Sequence, residues 1–158
     1  MQRSNLSAGA WIAILALLGG QALAATPATP AVNSAYRSEC GSCHLAYPAR
    51  LLSTREWGIV LGRLEQHYGV DASLDDATLR QVAGQLDAPV SPALGDSGTL
   101  PRITAKAWFV DEHDDVTPRT FRGPDVRTAA NCPACHVGAE RGDFDEHAVR
   151  VPGGQRHD

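Results

Sequence analysis

The sequence predicts a mainly α-helical chain with much irregular loop. Three observations carry that prediction. Apolar residues recur at helical spacing between Pro48 and Pro89, a stretch that holds no proline. Beyond Pro89, prolines and glycines cut the chain into short pieces. A Cys-x-x-Cys-His motif stands in each half, as Cys40-Gly41-Ser42-Cys43-His44 and Cys132-Pro133-Ala134-Cys135-His136.

The N-terminus reads as a secretory signal over residues 1–24. Arg3 supplies the positive n-region, Ala8 to Gly20 form the apolar h-region, and Ala22-Leu23-Ala24 is a small-x-small cleavage site. The apolar run falls short of the ~20 residues a membrane span needs, so a cleaved leader and a soluble mature chain are expected. Residues 25–32, rich in Ala, Thr and Pro, follow as a flexible tether.

Asn33 or Ser34 can cap a short helix running into Cys40. Ser53 with Glu56 forms a capping box for the next helix. On it Trp57, Val60, Leu64 and His67 fall on one face, within about 80° at ~100° per residue. Gly69 is the expected stop. Ser73 with Asp76 loosely repeats the capping pattern before a helix striped by Leu79, Val82, Ala83 and Leu86. Pro89, Pro92, Gly95 and Gly98 mark residues 89–100 as a linker. Past it, Ile103, Ala107 and Val110 keep a helical interval, which predicts a short helix from about Thr104 to Asp114. Four more prolines leave loops after that, with a short helix at the second motif.

Composition bounds the function. The leader carries Arg3 and no other charge, so the mature 134 residues hold 13 basic against 18 acidic groups, a net charge of −5. No basic stripe is present, and no nucleic acid partner is expected. Three Trp, three Tyr and three Phe are a thin aromatic supply, with Trp11 lost in the leader. Each half would be a marginal core alone, and a large apolar cofactor would fill the missing interior.

The motif names that cofactor. Two thiols three positions apart reach the vinyl groups on one edge of a porphyrin, and the next residue sets an imidazole beneath the iron. Four cysteines could otherwise build a zinc site or two disulfides. The histidine after each pair weighs against both. With histidine at 6 of 158 positions, two such followers arise by chance at roughly one in 700. The expectation is two covalently bound c-type haems. Cys40, Cys43, Cys132 and Cys135 would form the thioethers, and His44 and His136 would be the proximal ligands. On this basis residues 33–88 are the first haem domain and 101–158 the second.

The other axial ligands are a narrower choice. Met1 is the chain's single methionine and leaves with the leader, so neither iron can take a methionine. His67, His113, His147 and His157 remain. His67 lies on an apolar face in the first half. His113 follows the apolar run Trp108-Phe109-Val110, and neighbouring carboxylates can hold its ring. His147 sits in the acid-rich run Gly142–His147 and is its rival. His157 is next to the C-terminus. His67 and His113 are the expected ligands. Arg55, Arg63, Arg102, Arg122 and Arg141 can pair with haem propionates or stay solvated.

With those residues in view, the chain resembles the dihaem cytochrome c family of phototrophic and other bacteria. The resemblance spans Glu39–His44, Trp57–Gly69 with Asp71–Leu74, Arg102–Thr104 with Trp108–Val110 and Glu112-His113, and Ala130–His136 with Gly138–Glu140 and Val149–Pro152. It implies a class I cytochrome c-like N-terminal haem domain plus a less regular C-terminal haem domain. It implies histidine on both faces of each iron, with His67 and His113 in its matching segments. It also implies electron delivery to an oxygen-binding cytochrome c and reduction by a membrane b-type cytochrome.

Three functions follow in order. The first is an exported periplasmic electron carrier, monomeric, with two low-spin haems, no open iron site and no enzymatic activity. The second is a small haem redox enzyme of peroxidase or nitrogen-oxide type, which needs one five-coordinate iron. The third is a zinc- or disulfide-held module without haem.

Overall fold

The computed structural model describes residues 34–96 and 99–154. The leader, the tether, Asn33, Gly98 and His157 lie outside the described residues. Six α-helices appear among those described: α1 (Ser34–Cys40), α2 (Thr54–Leu61), α3 (Asp76–Leu86), α4 (Pro92–Gly95), α5 (Ala107–Asp111) and α6 (Pro118–Arg122). Short 3-10 turns join them, and two isolated β-bridges replace any strand. The mainly α class read from the sequence is the observed one.

The first half holds the larger core. α3 packs on both α1 and α2 and buries Val82, Ala83 and Leu86 against Tyr36, Trp57, Val60 and Leu61. The spacing of those α3 residues is the stripe that predicted the helix. Polar ends of core aromatics are satisfied locally. Trp57 Nε1 donates to Ala49 O at 2.7 Å, and Tyr36 Oη donates to Tyr47 O at 2.5 Å. The second half has a smaller interior of Phe109, Val126 and Ala139.

Two helix boundaries differ from the sequence expectation. The helix begun at Ser53 ends at Leu61, so Leu64 and His67 are not on it. Leu64–Gln66 is a separate 3-10 turn. The cap of α3 is Asp75, which accepts from the backbone N–H of Ala77 and Thr78. Ser73 instead closes on Asp71, its N–H and Oγ both donating to one carboxylate oxygen. A carboxylate nearer the first turn out-competes a hydroxyl two residues earlier.

α2 ends against the stretch read as a linker. α4 lies on α2, and the contact is backbone on backbone. A Cβ on Gly95 would stand 2.2 Å from Gly62 O, and one on Gly62 would stand 2.8 Å from Gly95 N. Gly95→Ala is therefore expected to cost about 2 kcal/mol or more, read as a lower denaturant midpoint. An unchanged midpoint would mean that α4 is not docked.

One ion pair ties the halves at a distance from the histidines. Glu56 completes the capping box with Ser53, and Lys106 Nζ reaches its Oε1 at 2.5 Å. The hydrogen bond from Lys106, then those from the Ser53 backbone and hydroxyl, pull the Glu56 carboxyl from 4.5 down to about 2. A lowered folded-state value means that the stabilisation is complete above the unfolded value. It is lost as pH falls from about 4.5 toward 2. Solvent screening limits it to about 1 kcal/mol. Glu56→Gln should thus destabilise at neutral pH by about that amount, and the two proteins should converge near pH 2. Denaturant titrations at both pH values check it.

Candidate haem sites

The first site is assembled by the end of α1 and a tight turn. α1 runs into Cys40, as the cap at residue 33 or 34 predicted, and delivers the first motif. Cys40 is half-buried, while Cys43 and His44 are exposed. His44 Nδ1 lies 2.7 Å from Leu45 O. A carbonyl accepts only, so Nδ1 carries the proton and Nε2 keeps a free lone pair.

His67 enters from a four-residue turn closed by Val70 N–H donating to His67 O at 3.1 Å. Its two central residues, Tyr68 and Gly69, have φ of 48° and 99°. Positive φ at both places is the primed hairpin turn, which glycine tolerates best. Gly69 was read as a helix stop; its positive φ instead serves this turn. Tyr68 Oη donates to Pro101 O, and the Arg102 guanidinium lies 4.7 Å over the Tyr68 ring. These contacts anchor the turn to the start of the second half.

The second site has the same parts in different positions. Cys132–Ala134 is a 3-10 turn rather than an α-helix, closed by Cys135 N–H donating to Cys132 O at 3.1 Å, and His136 N–H also donates to Cys132 O at 2.8 Å. His136 bridges Val149. The expected helix from Thr104 to Asp114 is split into a 3-10 turn, Ile103–Ala105, and α5, because Lys106 is extended at ψ 142°. His113 lies just past α5, and its Nδ1 is 2.8 Å from Phe109 O. A cavity of about 890 Å³ opens here, walled by His113, His136, Cys132, Cys135, Phe121 and Val126 among others. That is within the usual size of a cofactor site.

Four histidines fall into two pairs. His44 and His67 have ring centres 6.2 Å apart; His113 and His136 have theirs 6.1 Å apart. Two imidazoles on opposite faces of one metal ion stand about 6 Å apart between centres, from two bonds of about 2 Å plus the ring radii. In each pair one ring is held by a carbonyl, and the other (His67, His136) has a buried Nδ1 without a protein partner. Burial, then the paired histidine, lowers the pKa of His67 and of His136, which favours the neutral ligating form. The residues fit a haem iron.

The rival histidine is differently placed. His147 is on the cavity rim, but its side chain is 83 % exposed and held by Asp145 at 3.0 Å. Hydrogen bonding to Asp145 raises its pKa, which favours the imidazolium over a ligand.

None of the four cysteines is in a disulfide. Burial raises Cys40 to about 11 and pushes Cys132 and Cys135 upward as well. Among the described residues no three His, Cys, Asp or Glu side chains converge on one point, so the zinc alternative lacks a donor set there.

Three residues matter that the sequence did not single out. Tyr47 stacks 5.0 Å from His44 and donates to Ala130 O at 2.9 Å, joining the halves. Phe144 lies 5.2 Å from His136. Arg50 lies 5.3 Å over Phe144 and donates to Gly142 O. Tyr47, three residues after His44, was legible as an aromatic close to a ligand. Arg50 and Phe144 meet only through the fold.

Comparison with known proteins agrees with this geometry. The family model "Dihaem cytochrome c" matches residues 36–144, more than half of the chain. A dihaem cytochrome c structure from Shewanella baltica OS155 is similar at 36 % identity and TM-score 0.68, covering 81 % of this chain and 99 % of that one. One from Rhodobacter sphaeroides is similar at 45 % identity and TM-score 0.58, covering 70 % and 96 %. No curated protein matches. Four cysteines in two haem-attachment motifs, four histidines in two pairs, and likeness over most of the chain converge on one conclusion: this chain belongs to the dihaem cytochrome c family, electron-transfer proteins with two c-type haems.

Proposed function

We propose that the protein is a periplasmic relay that takes electrons from a membrane b-type cytochrome and passes them to an oxygen-binding cytochrome c. One observation carries the reading: two imidazole pairs, each at the spacing of a doubly ligated iron. His44 and His67 hold the first iron, on Cys40 and Cys43. His136 and His113 hold the second, on Cys132 and Cys135. When bound, the haems supply reversible one-electron couples.

The chain's own residues decide how those couples are used. Histidine on both faces leaves no position for a substrate, so transfer is outer-sphere. The Leu45 and Phe109 carbonyls keep Nδ1 protonated on His44 and His113 and fix both rings. Imidazole in place of a methionine thioether holds the potentials low. Phe109, Phe121 and Val126 give the second site an apolar wall. The first half is a class I cytochrome c-like haem domain over residues 33–88, joined through 89–100 to a less regular one over 101–158. The leader exports the chain and is cleaved, and the mature protein is monomeric. Among the described residues no helix is long and apolar enough to cross a membrane.

Mixing the reduced protein with an oxidised oxygen-binding cytochrome c tests the relay. The partner should be reduced without a mediator. The rate should fall as salt rises where its docking face is basic, since the mature chain carries −5. No reduction of the partner would contradict the reading.

A further inference from the structure

The two histidine pairs differ in orientation. The His44 and His67 planes are 18° apart, whereas those of His113 and His136 cross at 69°. The way His113 is held accounts for the difference. Phe109 lies one helical turn earlier, and its carbonyl meets His113 Nδ1 at 2.8 Å. Its ring also lies flat on the imidazole, with centres 4.1 Å apart and planes 15° apart. Phe109 is itself buried, with Phe121 at 6.3 Å, so its ring has little room to turn. A carbonyl at one nitrogen and an aromatic face over the ring leave His113 one orientation. His136 is set independently, against Phe144 at 52° and through its bridge to Val149.

We propose that Phe109 is a positioning residue that holds the His113 ring across the plane of His136 and gives the second haem an electronic state unlike the first. The inference rests on both pairs being iron ligands. Each imidazole donates π density through the orbital perpendicular to its ring. Parallel rings load one iron dπ orbital and split it from the other. Crossed rings load both nearly equally and leave them close in energy. Axial ligands are one of the levers a protein has on a haem, and here two identical ligand sets are distinguished by angle alone. The centres of the relay then become separately observable.

Low-temperature electron paramagnetic resonance of the oxidised dihaem protein tests this. Two low-spin signals of equal weight are expected. One should be rhombic, from the parallel pair. The other should be strongly anisotropic with a dominant low-field feature, from the crossed pair. Two rhombic signals would overturn the proposal while leaving the ligation intact. A high-spin signal would instead overturn the ligation. Phe109→Leu keeps the carbonyl and removes the stacked ring. The low-field feature should lose most of its intensity or move toward the rhombic signal, with the low-spin total unchanged. A feature that stays in place overturns the role of Phe109. Phe109→Tyr keeps both the carbonyl and a stacked aromatic face, and should leave the feature unmoved. An equal shift there would mean that the stacked face is not what holds His113 and would also overturn the assignment to Phe109.

Discussion

His67→Ala should open the first iron to carbon monoxide and leave the second closed. His67 is the first site's second imidazole, 6.2 Å from His44. Among the described residues the histidines that remain are elsewhere: His113 and His136 form their own pair, and His147 is held by Asp145. Met1 is the one methionine in the chain, so with the leader cleaved as proposed no methionine can substitute. The expected change is complete at one haem: high-spin when oxidised, carbon monoxide bound when reduced, about one equivalent per chain. The turn that carries His67 is held by its own backbone bond and by Tyr68, so the substitution should leave the fold in place. A spectrum identical to the parent would show that His67 is an ordinary half-buried residue.

His113→Ala should do the same at the second iron, and His147→Ala should do nothing comparable. His113 shares the cavity wall with His136, and its Nδ1 is held by Phe109 O. That leaves Nε2 free to ligate. His147 is solvated and paired with a carboxylate that raises its pKa, so recruiting it would cost that pairing. That pair is exposed and screened by solvent, so the spin state of the His147 variant should match the parent. If the His147 variant alone turns high-spin, the second ligand has been misassigned. Spin state and carbon monoxide stoichiometry of the two variants decide it.

Much of this arrangement was legible in the sequence, for identifiable reasons. The two motifs are contiguous, so their residues needed no fold to be found. The Ser53–Glu56 capping box is also local, and it stands where it was read. The α3 stripe is a periodicity, and it is buried as the spacing required. Failures came where a tertiary contact overrode a local pattern. Helical spacing carried the α2 face on to His67, but the helix ends at Leu61, where Gly62 packs closely on Gly95. Glycine at both places is what permits that approach, and nothing local in the sequence pairs residues so far apart. The same holds for Lys106, which splits the predicted helix before α5 and pairs with Glu56 across 50 positions. Periodicity placed His67 on a helix that ends before it. The turn that presents it was marked in advance only by Gly69.

The central claim is that each iron lies between two histidines and that neither has a free position. Carbon monoxide titration of the unmodified, fully reduced dihaem protein tests it most directly. The account predicts an unchanged low-spin spectrum at both haems. Stoichiometric binding at one haem would contradict it, and would favour a haem enzyme with one open iron.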